Sequence, residues 1–488
     1  MWRKVNTTRA KLAIILLLAI GLRVFGLQEQ SLSSDELLEL DIAKSSVHEI
    51  IHKSDGFPPL YHLLLHGWLK LFNNDMAARW LSMLLGSLAV FSLWKITPWL
   101  DDTKSRLRAT LLLAISPFHI WYSQEARAYP LYFLAALLAV GFFGRALQTN
   151  RRRDWTAYGL ACIAGIFTHY FFVILMVIHA VVLLTQKRRW HDLKRALLAH
   201  GSVALCLLPA TGLLLDDFAY QTTTILSRIP FNFVTLGYTF FSFMAGYAVG
   251  PSIRELHSMS SSQAIFAALP WLIIIASGVL VLFFNSRREL HNKMWWQRIA
   301  VWLLLPVLLC GMLAETIVVS FKLQYVLWAS ILLLLWLGRA IASSFGRKST
   351  KLAVAFFCLL FAFSLYNRRF EAAYQNDDAK ALASYLETQT DQQTPIFVMA
   401  CYMTEPLRYY LGEGWRIYPL PDAGHQAQHL KEVLQALEPH CVSSARFWLV
   451  YTRAFHGDPT GKFKLAVLEN QLARPRAEFA GIELFQGN

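Results

Sequence analysis

Four short stretches of the chain carry residue types that can do chemistry. Ser33-Ser34-Asp35-Glu36 sets two carboxylates side by side. Such acids supply a general base or a metal ligand, and they equally suit the first turn of a helix capped by Ser33 or Ser34. Ser116-Pro-Phe-His119-Ile-Trp-Tyr122-Ser-Gln124-Glu125-Ala-Arg127-Ala-Tyr129 packs an imidazole, an amide, an acid and a guanidinium into fourteen residues. Arg127 there is either half of an ion pair with Glu125 or a planar fork for phosphate oxygens. Thr168-His169-Tyr170-Phe171 and Phe321-Lys322-Leu-Gln324-Tyr325 add an imidazole, a cation and phenols. A lone interfacial histidine is commonly a satisfied polar residue, and Lys322 either snorkels or holds a lipid phosphate.

The elements that must position these groups are membrane helices. The 488 residues are 55% hydrophobic and 16% charged, against about a quarter charged in soluble domains. Apolar blocks such as Leu12 to Ile20, Trp271 to Phe284, Val326 to Leu337 and Leu352 to Leu365 approach the roughly 20 residues that cross a bilayer. About eleven spans fit the pattern, near 11–27, 79–98, 107–122, 129–147, 156–169, 170–186, 197–215, 263–284, 299–319, 323–338 and 351–366. The net charge of +14 sits in short clusters between these blocks, so it reads as a topology signal and not as a nucleic-acid patch. Every second loop is basic: Arg3, Lys4 and Arg9; Lys104, Arg106 and Arg108; Arg151 to Arg153; Lys187 to Arg189; Arg287 and Arg288; Arg347 and Lys348. The positive-inside rule then makes the N-terminus cytoplasmic, and an odd span count puts the C-terminal region outside the plasma (inner) membrane. No cleavage site follows the first apolar run, which reads as a retained span. All four polar stretches fall on the outer face.

Phe231 to Gly250 would reverse this alternation if it crossed, so it reads as an interfacial or re-entrant segment. The first outer loop, 28–78, predicts two surface helices, Ser31 to His52 and Leu60 to Phe72, broken at Pro58-Pro59. The expected architecture is mainly α: a transmembrane helical module over 1–366 and a small extracytoplasmic α/β domain over 367–488. In the latter, Glu371 to Thr390 predicts an amphipathic helix, Pro395 to Ala400 and Arg446 to Tyr451 buried strands, and Glu405 to Leu411 the start of a further helix. Cys401 and Cys441 lie in this domain, where an oxidising compartment allows them to pair.

Three runs carry a family resemblance in order: Ser33-Ser-Asp35-Glu36; Pro58-Pro59-Leu-Tyr61-His-Leu-Leu-Leu-His66-Gly-Trp68; and Arg79-Trp-Leu-Ser82-Met-Leu-Leu-Gly86. With the Gln124-Glu-Ala-Arg127 block, Thr168-His-Tyr-Phe and Gln324-Tyr325, the first 340 or so residues resemble the bacterial protein-mannosyltransferase-like, aminoarabinose-transferase-like glycosyltransferases of family 39 and the GT-C fold. The resemblance implies a polyprenyl-phosphate sugar as donor, transfer at the extracytoplasmic face to a lipid, glycan or protein acceptor, and inversion at the anomeric carbon. It implies Asp35, with Glu36 beside it, as the catalytic carboxylates, Asp35 as general base toward the acceptor hydroxyl. It makes Arg127, Lys322 and Tyr325 the donor-phosphate site, and Glu125, Gln124, His66, His119, Tyr122, His169 and Tyr170 the substrate lining. A divalent cation (Mg2+ or Mn2+) held by Asp35 and Glu125 stays open. One departure concerns the late span, where the family's Arg-Tyr-Leu-Leu-Pro pattern is here Gln324-Tyr325-Val-Leu-Trp, which shifts the phosphate role toward Lys322. A transporter or flippase of an anionic or lipid-linked substrate is the main rival. It ordinarily carries inverted repeats and broken midplane helices, and neither stands out here.

Overall fold

Ser116-Pro117 is the point at which sequence most visibly dictates shape. A residue before proline is pushed to extended backbone, and Ser116 has φ −61° and ψ 116°. The stretch 107–122 is therefore not one continuous helix. It is two helices, Thr103–Ile115 and Pro117–Ser123, the second capped by Ser116 Oγ accepting from the His119 N–H. Pro117 has no N–H to give the carbonyl of Leu113. That carbonyl is satisfied from elsewhere in the chain. Arg23, in the last turn of helix Trp2–Val24, is fully buried. It donates to Leu113 O (3.1 Å), Ala114 O (2.9 Å), Ala19 O (2.9 Å), Ser123 Oγ (3.3 Å) and His119 Nδ1 (2.8 Å). These five bonds use the full donor complement of a guanidinium. Gly86 lets helix Ala77–Ile96 come close at the same place, since a Cβ there would meet Ser123 Oγ at 2.1 Å.

The computed structural model describes residues 2–52, 57–97, 102–185, 190–224, 231–287, 293–316, 321–420 and 446–487. It divides into two compact units. The first comprises 1–27, 39–246 and 271–362, and the second 28–38, 247–270 and 363–488. Residues 28–38 and 247–270, which sequence order alone assigns to the membrane module, thus fold with the C-terminal region.

The first unit is helical. Among the described residues six helices are long and apolar enough to cross a membrane: Ala77–Ile96, Tyr129–Thr149, Leu193–Asp216, Ser262–Ser286, Leu323–Ser344 and Lys348–Phe370. Tyr129–Thr149 is largely enclosed by protein, whereas Leu193–Asp216 and Ser262–Ser286 leave most of their surface outward, as lipid-facing helices do. Tyr129–Thr149 packs on Arg152–Ile166 and Ala77–Ile96, and Ser330–Ser344 packs on Thr103–Ile115. The late span opens with a 3-10 segment, Leu323–Ala329, whose Tyr325 carbonyl accepts from the Tyr132 hydroxyl at 2.8 Å. Within 231–250 the helix covers Phe233–Ala245. Its thirteen residues reach about 20 Å, short of the ~30 Å hydrocarbon core.

The expected helix Ser31 to His52 is instead two, Ser34–Lys44 and Val47–His52. The break is a capping box: Ser46 N–H donates to Glu49, and Glu49 N–H donates to Ser46 Oγ, which starts a new helix. Leu60–Phe72 forms as expected and ends on Asn73 at φ 42°.

The second unit holds a five-stranded sheet of β1 (Ile396–Val398), β2 (Ile417–Pro419), β3 (Phe447–Thr452), β4 (Arg474–Phe479) and β5 (Ile482–Gly487), in the order β2-β1-β3-β5-β4. β1 is parallel to β2 and β3, with Ile396 opposite Ile417 and Trp448. β5 runs antiparallel to β3 and β4. The expected helix from Glu371 begins only at Ala379 and runs to Gln389, because Asp378 caps it by accepting from the Ala381 N–H. Residues 30–32 dock here: Ser31 Oγ donates to Asp378 Oδ1 (2.8 Å), Gln30 Nε2 to Arg368 O (3.1 Å), and Leu32 N–H to Tyr410 Oη (2.8 Å). A Cys401–Cys441 pairing and the basic residues Lys187 to Arg189 and Arg288 lie outside the described residues.

Arg23→Met removes every donor from the Leu113 and Ala114 carbonyls, and a buried unsatisfied polar group costs about 1–3 kcal/mol. Thermal unfolding of purified protein in detergent should show a clearly lower Tm, with Arg23→Lys in between because its three donors cannot replace five. Unchanged Tm in Arg23→Met would show that the helix break is held by other contacts.

Candidate functional site

The first unit gathers its buried polar chemistry around Glu39, on helix Ser34–Lys44. The helix starts at Ser33, whose N–H and hydroxyl both donate to Glu36 Oε2 (3.0 and 3.2 Å) while Glu36 N–H donates back to Ser33 Oγ (3.3 Å). Glu36 thereby serves the helix cap. Asp35 is exposed, whereas Glu39, one turn on, is buried. A buried carboxylate demands cationic or hydrogen-bonding partners. Glu39 has His62 Nε2 at 2.7 Å on Oε2 and Arg127 Nε at 3.3 Å on Oε1, and both partners are themselves buried.

Each partner is held by its own element. Helix Leu60–Phe72, which carries His62, is anchored where Leu60 N–H donates to Phe167 O (3.0 Å). Arg127 sits in the short link between helices Pro117–Ser123 and Tyr129–Thr149. Its carbonyl accepts from Ser82 Oγ (3.4 Å), and Ser82 Oγ is also 3.1 Å from the Tyr61 hydroxyl. The guanidinium lies 5.4 Å from the ring centres of both Phe57 and Tyr129, a cation–π setting, and donates to Tyr129 Oη at 3.3 Å. Gln324 Nε2 reaches the same hydroxyl at 3.4 Å.

His169 completes the group from the turn between helices Arg152–Ile166 and Phe172–Thr185. Its ring stacks on Tyr132 (4.7 Å) and meets Tyr325 (5.1 Å) and Phe57 (5.5 Å) edge-on. Phe171 N–H donates to its Nδ1 at 3.3 Å, so the neutral ring carries its proton on Nε2. Nε2 is buried and has no hydrogen-bond partner among the described residues. Burial, reinforced by the charges of Lys322 and Arg127, holds His169 down to about 3. The arrangement therefore presents two cations and one neutral N–H donor beside an aromatic wall, a donor set suited to negative charge on oxygen.

Other expected site residues fall elsewhere. Asp35 and Glu36 belong to the second unit. His119 is part of the Arg23 cluster and packs edge-on to Phe133. Gln124 Nε2 caps the end of helix Trp2–Val24, donating to the carbonyls of Leu22, Arg23 and Phe25. His66 bonds Ala43 O through Nδ1 at 2.8 Å. Tyr122 packs edge-on to Tyr129 (5.0 Å). Glu125, Tyr170 and Lys322 are half-buried, and Tyr325 is buried. Among the described residues no group of three or more His, Cys, Asp or Glu side chains is placed to hold a metal ion. Glu39 and His62 are not among the sequence-derived candidates. Their signal was spacing: Glu39 follows Asp35 by one helical turn, and His62 precedes His66 by one.

Residues 57–214 match the family described as dolichyl-phosphate-mannose-protein mannosyltransferase. No curated protein matches the chain in sequence. In structure it is similar to apo ArnT from Cupriavidus metallidurans, with a TM-score of 0.58 and 11% identity over 97% of each chain. It is also similar to the same protein bound to undecaprenyl phosphate, with a TM-score of 0.54, 13% identity and the same coverage. The apo oligosaccharyltransferase of Archaeoglobus fulgidus gives a TM-score of 0.56 at 12% identity, over 93% of this chain and 70% of that one. The chain has the ArnT-like GT-C fold. It is a multi-pass membrane protein with a small C-terminal sheet.

His169 titrates lower in the folded protein than its ordinary value near 6.5. The unfolded chain therefore binds more protons between the two values, and stability falls as pH drops through that window. His169→Gln, which cannot protonate, should flatten the fall of Tm between about pH 6.5 and 4. Parallel wild-type and variant curves would contradict a buried neutral His169.

Proposed function

We propose that the protein is a GT-C glycosyltransferase that moves a sugar from a polyprenyl-phosphate donor to an acceptor hydroxyl at the extracytoplasmic face. The observation that carries this reading is the buried Glu39–His62–Arg127 group, with Lys322 and His169 beside it, in a fold shared with ArnT. ArnT has been seen with undecaprenyl phosphate bound, and this chain has the donors such a phosphate needs. Lys322 and Arg127 neutralise the phosphate oxygens, and the His169 Nε2–H donates to them. Glu39 and His62 hold the guanidinium in place. Tyr325 closes the aromatic wall around this group.

Asp35 takes the proton from the acceptor hydroxyl. Its exposure and its place one turn before Glu39 on the same helix support that role. The acceptor oxygen bonds the anomeric carbon, and the bond from that carbon to the phosphate oxygen breaks. The lipid phosphate leaves with the electron pair, and the anomeric centre inverts. Glu125 and Tyr170 line the substrate side. The acceptor is a lipid, glycan or protein. The orientation that fits the basic loops has a cytoplasmic N-terminus and an extracytoplasmic C-terminal unit in the inner membrane.

Purified protein incubated with labelled polyprenyl-phosphate sugars and an envelope-lipid extract should transfer label. Asp35→Asn should slow transfer about 10²-fold or more while still binding donor. Arg127→Gln should weaken donor binding itself. Normal transfer by Asp35→Asn would remove Asp35 from the chemistry. Movement of intact labelled donor across proteoliposomes without sugar transfer would replace the reading with lipid-linked transport.

A further inference from the structure

The second unit contains a topological switch point that the transfer reading does not use. β1 and β3 are adjacent and parallel. Helix Thr404–Leu411 leaves β1 and packs Leu407 and Leu411 on the sheet face formed by Val398 and Trp448. Helix Lys462–Glu469, after β3, packs Phe463 and Val467 on the opposite face, against Phe397 and Leu449. Neighbouring parallel strands whose connections depart to opposite faces open a crevice at their carboxyl ends, the usual ligand position in such sheets.

The backbone at both strand ends is unusual. Ala400, after β1, has φ 61°, and Arg453, after β3, has φ 49°. Non-glycine residues in the left-handed region collect at binding sites. The two loops approach closely at Gly457, where a Cβ would lie 2.6 Å from Met399 Sδ and 3.2 Å from Ala400 N. Across the gap the Tyr402 hydroxyl meets His456 Nδ1 at 2.7 Å.

The charge is not balanced there. Buried Asp377 pairs with both Arg254, at 3.0 Å, and Arg453 Nε. Two guanidiniums on one carboxylate leave a positive charge in excess. Arg453 uses only Nε on Asp377, and its two terminal nitrogens have no hydrogen-bond partner among the described residues. His257 stacks on Phe455 (4.5 Å, 12°) and meets His456 edge-on (6.2 Å).

We propose that the crevice at the carboxyl ends of β1 and β3 binds a phosphoryl group, gripped by the fork of Arg453 and by His257 beside the Tyr402–His456 pair. Arginine's planar fork matches phosphate oxygens two at a time, and the dianion offsets the surplus positive charge. The group is either free phosphate or the headgroup of a phospholipid.

The test uses full-length protein carrying Arg127→Gln, so that the proposed donor site contributes little. Equilibrium dialysis with radiolabelled inorganic phosphate forms one arm. Flotation with phosphatidic-acid vesicles, against phosphatidylcholine vesicles, forms the other. Saturable phosphate binding that drops at least tenfold with Arg453→Gln, and with His257→Ala, supports a free-phosphate site. The same loss confined to phosphatidic-acid vesicles supports a headgroup site. His257 is exposed, so His257→Ala decides the matter if Arg453→Gln unfolds with Asp377 half-paired. Binding in neither arm, or binding that His257→Ala leaves unchanged, overturns the proposal. The outcome does not depend on sugar transfer, so the two readings fail separately.

Discussion

The membrane unit turns on one buried guanidinium. Proline at 117 forces the chain to stop one helix and start another inside the protein, which leaves a carbonyl with no local donor. Arg23 supplies it and spends its remaining N–H groups on Ala114 of the same helix, on Ala19 of its own, and on His119 and Ser123 of the helix that follows. A lysine would be too short of donors, and an apolar residue would leave the break unsatisfied. Because the break is stabilised, the chain can turn back over residues 117–128 and deliver Arg127 to the start of helix Tyr129–Thr149. The Arg23 cluster is structural, and the Arg127 cluster is the candidate site.

Around Arg127 the balance of charges is informative. One buried carboxylate, Glu39, is shared by an imidazole and a guanidinium. Leaving such an acid without partners would cost several kcal/mol, so Glu39 fixes both helix Leu60–Phe72 and the link at 124–128. The neutral state of His169 follows first from its burial and then from the same crowding, since a third cation beside Lys322 and Arg127 is disfavoured. Aromatic rings line this side and the polar groups are buried, which strengthens each electrostatic contact.

Much of this was legible in the sequence. Apolar run length gave the helical membrane class, and Pro58-Pro59 and Asn73 bracket helix Leu60–Phe72 as expected. The Arg127, His169, Lys322 and Tyr325 stretches meet in one region of the first unit. The misses share a cause. The splits at Ser46 and Ser116 come from capping residues inside apolar periodicity, and the late start at Ala379 from a cap at Asp378. Hydropathy averages over such single residues. β2 is too short to show a period, and β4 carries alternating charge and a proline at a register shift, which suits an edge strand. Glu39, His62 and Arg23 are polar residues among apolar neighbours, and only their partners, distant in sequence, reveal their purpose.

The order in which the chain is made bears on how the second unit assembles. Ser31 and Asp378 bond across 347 positions, and most of the membrane helices are encoded between them. A ribosome must complete those helices before the two ends of this bond exist together. The second unit therefore closes only after those helices have been synthesised. Until β5 arrives, β3 shows its Phe447-Trp-Leu-Val-Tyr451 edge unpaired, the type of strand that seeks other partners. Residues 28–38 must stay available throughout, which makes this stretch a point where biogenesis, and not only the finished structure, constrains the sequence.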